Sequence, residues 1–376
     1  VLFMGSYEKS EVAADQSSRA VYGAMGSALG TGAGVLTALL FMAAVYALNR
    51  PMIRRRMERD HTRQADSYRE ISKMILQVVL PFIMSTAIYN LSSSLNNKLY
   101  SDIMMKFRHA AENLVAADYG VFNGRAMKIS NIPIAFSSAM AAAIIPTVSQ
   151  LVARRQLADA RDKTAQAVKT IMLISIPSAV GLFALAKPIT WLLFPDEDTI
   201  ELATRILMAL SVSIIFYALS TLSNSILQGI GRVNTPIVNA AIALLLQTAV
   251  LVLILCFTDL GIYGVVIATI VYSGLMCVLN QMSMHKALGY RQEIMNTFII
   301  PLIASAFMGA IARVLYEILL MLTGSIIVSA VPSIAVAVAV YFSLVILFKG
   351  VTEEELRSMP KGHLLVRVAK KCRLMR

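Results

Sequence analysis

The sequence predicts an all-α fold, a polytopic membrane bundle of about nine transmembrane helices, and three observations lead to that prediction. Hydrophobic residues make up 57% of the chain and charged residues 15%, whereas charged residues are about 25% of a soluble domain. Long uncharged stretches alternate with short charged connectors. Most of these stretches reach the length of about 20 apolar residues that a helix needs to cross a bilayer core.

Each uncharged stretch is predicted to form one helix. Six stretches lack any charged side chain, at 21–49, 74–97, 129–153, 206–231, 233–258 and 260–284. A shorter one, 170–186, becomes a full crossing if it extends through Pro188 or back past Lys169, whose ammonium can snorkel to the interface. Two more, 294–312 and 326–348, are separated by a turn signal at Gly324.

The distribution of basic residues predicts how the chain is threaded. Lys and Arg number 24 in the connectors of one side and six in those of the other. Cytoplasmic loops retain such an excess, so we expect the C-terminal tail of this multi-pass membrane protein to be cytoplasmic. The net charge of +12 is then explained by a basic tail beside anionic membrane lipids and requires no nucleic acid.

Motifs for catalysis are absent from the sequence. It contains no GxxxxGK[ST], GxSxG or HExxH segment and no Cys or His spacing typical of a metal site. We therefore expect a protein that is not an enzyme and that uses no cofactor or metal.

The first candidate site lies at the start of the third span, around Asn123, Arg125 and Lys128. A helix that begins near Asp118 would place both cations on one face, because residues three apart are neighbours on a helix. A guanidinium and an ammonium in one stripe can hold a diphosphate. The alternative is that both side chains snorkel to the outer surface, and position alone leaves the two interpretations open.

The second candidate is the preceding span, which carries polar residues along its whole length. Such a face lines either a water-filled cavity or a neighbouring helix. Its members are Gln77, Pro81, Ser85, Tyr89, Asn90, Ser93 and Asn96 or Asn97. Of these we take Asn90, Ser93 and Asn97 as candidate cavity residues.

Other intramembrane residues are predicted to be structural. Gly26, Gly30 and Gly34 recur every four residues in the first span, which allows another helix to approach closely. We expect Gln228 and Gln247 to make interhelical hydrogen bonds. At the end of the eighth span, residues 313 and 317 are an arginine and a glutamate that should form a local pair.

Several segments together resemble a known family. They are residues 131–136, 143–149, 176–182, 226–232 and 260–264. In order and spacing they are similar to polysaccharide exporters of the stage V sporulation protein B type. These form part of the MurJ-like branch of the multidrug, oligosaccharidyl-lipid and polysaccharide exporter superfamily.

The resemblance implies a fourteen-helix fold of two six-helix lobes and two extra helices. The nine spans would match helices six to fourteen, so that most of the N-terminal lobe would lie outside this chain. The implied organisation is a last helix of the N-terminal lobe at 1–49, a basic cytoplasmic linker at 50–70, a C-terminal lobe at 71–290, two extra helices at 291–349 and a basic cytoplasmic tail at 350–376.

The resemblance also implies a function in the bacterial plasma membrane. Such proteins flip an undecaprenyl-diphosphate-linked saccharide from the cytoplasmic to the outer leaflet, with envelope-synthesis proteins as further partners. Arg125 would match the family's cavity arginine, and the isoprenoid tail would lie in a groove by the last two spans; Lys128 matches no known position. The alternatives are a multidrug or cation-coupled exporter of the same superfamily and a non-transporting scaffold of envelope synthesis.

Overall fold

The computed structural model describes residues 16–58, 67–348 and 350–351, and every regular element in these ranges is a helix. The chain divides into two compact units, Val1–Lys73 and Met74–Arg376. The first unit contains helix α1 (Gln16–Glu58), which runs beyond the predicted end of its span at residue 49 and through Pro51. An ion pair of 3.2 Å between Arg54 and Glu58, one turn apart, supports this extension.

Ten further helices follow. In chain order they are α2 (Tyr68–Asp102), α3 (Glu112–Val121), α4 (Met127–Ala153), α5 (Leu157–Ala184), α6 (Ala186–Leu193), α7 (Ile200–Gly229), α8 (Asn234–Phe257), α9 (Ile262–Leu288), α10 (Ile300–Thr323) and α11 (Ile326–Leu347). Three π-helical turns interrupt or extend them, at Ile103–Phe107, Phe122–Ala126 and Met295–Ile299.

The prediction of a polytopic helical bundle is confirmed. Within the described residues, eight helical runs are long and apolar enough to cross a membrane, and α3 and α4 count as one run of 42 residues. The ninth predicted span, 74–97, lies in α2, where several side chains between residues 77 and 89 are outside the described part.

The third span begins earlier than expected. Its helix starts at Glu112 and not near Asp118. His109 has a positive φ of 55° that interrupts the preceding helix, and the carboxylate of Glu112 in the first turn favours a helix start.

Helix α7 is the centre of the second unit, where it packs against α4, α5, α6, α8 and α9. Most of its length is buried: Ile206, Leu210, Ile214 and Leu222 are fully enclosed, and polar side chains such as Gln228 lie at its C-terminal end. Three of its buried serines, Ser211, Ser213 and Ser223, donate to carbonyls of the same helix; Ser213 donates to the carbonyl of Leu210 at 2.6 Å.

Helices α10 and α11 form a hairpin that packs on α5 and α6. Gly324 ends α10 with a left-handed φ of 64°, which a residue without a β-carbon adopts at no steric cost. On α10 the predicted pair of Arg313 and Glu317 is present at 2.7 Å.

Candidate binding site

Arg125 lies in the π-helical turn Phe122–Ala126 that joins α3 to α4. Phe122, Ala126 and Ile129 around it are at least 96% buried, and the ring of Tyr119 contacts that of Phe122 at a centroid distance of 5.6 Å. These contacts fix the backbone on the core side. π-Helical turns are often found at functional sites because they redirect one side chain without ending the helix.

The guanidinium of Arg125 bonds the loop that precedes α7. Its Nη2 lies 2.5 Å from Oδ2 of Asp196, and its Nη1 donates to Oγ1 of Thr199. The hydroxyl of Thr199 donates to the same carboxylate oxygen at 2.9 Å, and the backbone N–H of Asp198 donates to the other at 3.3 Å. The carboxylate of Asp196 is therefore held from three directions.

These bonds favour the ionised form of the Asp196 carboxyl. The hydrogen bond from Arg125, and after it the one from Thr199, hold the pKa of the Asp196 carboxyl below its usual range. The carboxyl stays ionised at neutral pH. The Arg125 and Asp196 side chains are 23% and 35% exposed, so solvent reaches the pair and a more highly charged anion can compete for the guanidinium.

An apolar groove of about 380 Å³ begins beside this ion pair. It is bounded by α4, α5, α6, α10 and α11. Ile129, one helical turn after Arg125, and Leu193, three residues before Asp196, both line it. Farther along, Tyr341 forms part of its wall and donates a hydrogen bond of 2.8 Å to the carbonyl of Leu173. The ion pair therefore lies next to one end of the groove.

A polar cavity of about 610 Å³ lies on another face of α4 and is bounded by α4, α7, α8 and α9. Asn131 and Ser138 contribute to it from α4, whereas Ile129 and Pro133 of the same helix line the apolar groove. Helix α4 therefore separates an apolar from a polar space. The sequence showed no periodic signal for this cavity, because its polar residues come from separate spans.

The other predicted site residues are not joined to Arg125 by any hydrogen bond or ion pair among the described residues. Asn123 and Lys128 are exposed, as are Asn90, Ser93 and Asn97 on α2. One link does exist, because the hydroxyl of Tyr119 donates to the backbone carbonyl of Ser93 at 3.0 Å. The cavity role of these residues stays a prediction.

The glycine face of α1 also stays a prediction. Gly30 and Gly34 are exposed, and a β-carbon added to either would meet nothing within 4 Å. Gly26 is half-buried.

The interhelical role predicted for Gln247 is confirmed. Its side chain, fully buried, accepts from Ser92 Oγ at 2.9 Å and donates to Oδ1 of Asn96. Sequence reasoning named Asn96 only as an alternative and missed Ser92. Gln228 instead lines the polar cavity.

Comparison with known proteins assigns the family. Residues 12–332 match the family model described as Lipid II flippase MurJ. The chain belongs to the MurJ family. This agrees with the resemblance seen in the sequence and with the multi-pass helical fold.

Three proteins of Bacillus subtilis (strain 168) are similar to this MurJ-family chain. Stage V sporulation protein B is 21% identical over 350 residues, which are 92% of this chain and 65% of that protein. Lipid II flippase MurJ is 22% identical over 67% of this chain and 46% of that protein. The uncharacterized membrane protein YabM is 22% identical over 60% of this chain and 42% of that protein. The chain thus spans less than two thirds of the length of these relatives.

Proposed function

We propose that this chain is part of a transporter that flips an undecaprenyl-diphosphate-linked saccharide from the cytoplasmic to the outer leaflet by alternating access. One observation carries the proposal: Arg125 lies one helical turn from Ile129, where the apolar groove begins. A cation beside the end of an apolar groove fits an amphiphile that has an anionic head and a long apolar tail. Membership of the MurJ family supports the same substrate class.

Arg125 is the residue that we expect to bind the diphosphate. Its guanidinium can contact two phosphate oxygens at once, and such charge-assisted bonds contribute about 1.5–3 kcal/mol each. In the structure, its two terminal nitrogen atoms, Nη1 and Nη2, donate to Thr199 and Asp196. The incoming diphosphate would replace them.

The apolar groove is the expected position of the isoprenoid tail. Lipid tails are as apolar as the groove wall, so moving the tail from bilayer to groove gains little hydrophobic free energy. Affinity must then come mainly from the head group. The groove selects for the shape of the tail and aligns the diphosphate with Arg125.

Energy for the transport cycle would come from the membrane potential. A unit charge that moves through 100 mV gains about 2.3 kcal/mol, which is enough to bias a carrier with two states. The orientation that we propose, with the C-terminal tail in the cytoplasm, is tested with a membrane-impermeant maleimide. Cys372 should be labelled only after cells are permeabilised, and labelling of intact cells would contradict the orientation.

The function is tested with the full-length protein in liposomes, by following a labelled lipid-linked saccharide between leaflets. Arg125→Ala should reduce flipping at least about tenfold, and Arg125→Lys should restore only part of it because an ammonium cannot make the paired contact. Arg205→Ala is the matched control, since Arg205 is exposed and forms an ion pair with Glu201 on its own helix. Unchanged flipping in Arg125→Ala would refute the role of Arg125.

The same liposomes separate the alternatives. A multidrug or cation-coupled exporter would move cationic dyes when an ion gradient is imposed across the liposome membrane. It would leave the lipid-linked saccharide in its original leaflet. A scaffold of envelope synthesis would transport neither.

A further inference from the structure

Helix α5 continues through Pro177 and leaves one of its own carbonyls without a donor. In an α-helix each carbonyl accepts from the N–H four residues later, and proline has no N–H. The carbonyl of Leu173 therefore finds no donor at this position within its helix. Leu173 is buried, and an unpaired carbonyl in an apolar environment is costly.

The hydroxyl of Tyr341 takes the place of the missing N–H. It reaches across from α11 and donates to the carbonyl of Leu173 at 2.8 Å. Leu173, Pro177 and Tyr341 all line the apolar groove, and the ring of Tyr341 is buried. The bond thus joins two walls of the groove, α5 and α11, at the carbonyl that the proline leaves free.

The two helices of the C-terminal hairpin are attached to α5 in different ways. Helix α10 packs closely on it, since a β-carbon on Gly309 would lie 2.9 Å from Cγ1 of Val180. Nη1 of Arg313, also on α10, donates to the carbonyl of Ala184 at 3.4 Å. Helix α11 packs mainly on α10, and it meets α5 at few points. The bond of Tyr341 is therefore a specific attachment at an otherwise sparse contact.

The other side of α11 is free to move through lipid. Val328, Val331 and Val338 are more than half exposed on this helix. Lipid tails are as apolar as such side chains, so a sideways displacement of α11 replaces protein contacts by lipid contacts at little hydrophobic cost. The hydrogen bond is then a main term that holds α11 in place against α5.

We propose that Tyr341 is the latch of a lateral gate in which α11 is the moving wall of the apolar groove. In the latched state, which is the state of this structure, the hydroxyl holds α11 against α5. In the released state the bond is broken and α11 moves away, while α10 stays on α5. The gate controls sideways entry from the bilayer into the groove, and it does so whatever amphiphile the protein carries.

The test measures how often the groove opens in the full-length protein in nanodiscs, without any transported ligand. Ala337 lies one turn before Tyr341, lines the groove and is 7% exposed. Ala337→Cys, in a variant whose native cysteines are replaced by serine, provides a thiol that N-ethylmaleimide reaches only when α11 moves. The rate of alkylation therefore reports the released population.

Tyr341→Phe keeps the ring and removes the latch. Alkylation should become about three- to tenfold faster, which is the value of one interhelical hydrogen bond in a membrane protein. Tyr316→Phe is the matched control, because Tyr316 is a buried tyrosine of the same hairpin, on α10, and no bond from its hydroxyl to α5 is found among the described residues. This control should alkylate at the parent rate.

A second background separates a latch from simple packing. Pro177→Ala supplies the N–H that the carbonyl of Leu173 lacks, so the carbonyl keeps a partner when Tyr341 is lost. Tyr341→Phe should then change the alkylation rate little. Pro177→Gly, which also supplies an N–H, replaces Pro177→Ala if the latter does not fold.

The outcomes decide between these roles. An unchanged rate in Tyr341→Phe would overturn the gate, and so would an equal acceleration in Tyr316→Phe. The same acceleration with and without Pro177 would show that Tyr341 only packs in the groove wall. Because no transported lipid is present, failure of the gate leaves the proposed function intact, and failure of the flipping assay leaves the gate intact.

Discussion

The guanidinium of Arg125 and the carboxylate of Asp196 connect two segments that are 71 residues apart in the sequence. Arg125 belongs to the helical run that ends in α4, and Asp196 to the loop before α7. A ligand that took the guanidinium would release this loop. We therefore expect binding at Arg125 to be coupled to the conformation of the α6–α7 loop.

Asp196→Asn should raise the affinity of the full-length protein for undecaprenyl diphosphate severalfold. The variant has no carboxylate that competes for Arg125, and charge-assisted bonds are about twice as strong as neutral ones. Binding is measured in nanodiscs. Glu197→Gln is the control because it removes a neighbouring exposed carboxylate; an unchanged or weaker affinity in Asp196→Asn would show that the ion pair does not restrain Arg125.

The ion pair should also have a defined dependence on pH. The pKa of Asp196 is lower in the folded protein than its usual value, which is about 3.9 in an unfolded chain. Its contribution to stability is thus complete above that value and is lost as the pH falls through the lower, folded pKa. The difference in unfolding temperature between the parent and Asp196→Asn should stay constant from about pH 7 to pH 5 and vanish only below about pH 4. A difference that disappears between pH 6 and pH 5 would contradict this.

Gln247→Leu should destabilise the packing of α8 on α2. The substitution leaves the buried Ser92 hydroxyl and the Asn96 amide oxygen without their partner, at a cost of about 1–3 kcal/mol. The free energy of unfolding is measured by denaturant titration in detergent. The triple variant Ser92→Ala/Asn96→Leu/Gln247→Leu removes every polar partner and should recover most of the loss; a triple variant as unstable as the single one would argue against the hydrogen bonds.

Gly309→Ala and Gly181→Ala should differ although both glycines lie between α5 and α10. A β-carbon on Gly309 would approach Cγ1 of Val180 to 2.9 Å, whereas one on Gly181 would meet only Cε of Met308, at 3.7 Å. Val180 is β-branched and cannot rotate away. Gly309→Ala should therefore cost about 1–3 kcal/mol, and Gly181→Ala should be neutral or stabilising by up to about 1 kcal/mol. Equal unfolding midpoints would show that the interface adapts.

The spans and Arg125 could be predicted from sequence because each depends on local information: apolar length for a span, and a cation beside a span for a site. The partner of Arg125 could not, since Asp196 belongs to a different connector and only tertiary packing brings them together. On α2, Ser92 and Ser93 differ by one position, which is about 100° around a helix. Nothing in the sequence shows that Ser92 faces Gln247 while Ser93 is exposed.

The central position of α7 keeps the distances between the helices of the second unit constant. Because α7 packs against α4, α5, α6, α8 and α9 at once, none of these helices can slide without shearing a close-packed interface. Any rocking motion then carries the groove, Arg125 and the polar cavity together with their spacing unchanged. A lipid diphosphate bound as we propose would therefore meet the same spacing between Arg125 and the apolar groove at every stage of the cycle, so that its length as well as its charge would decide whether it fits.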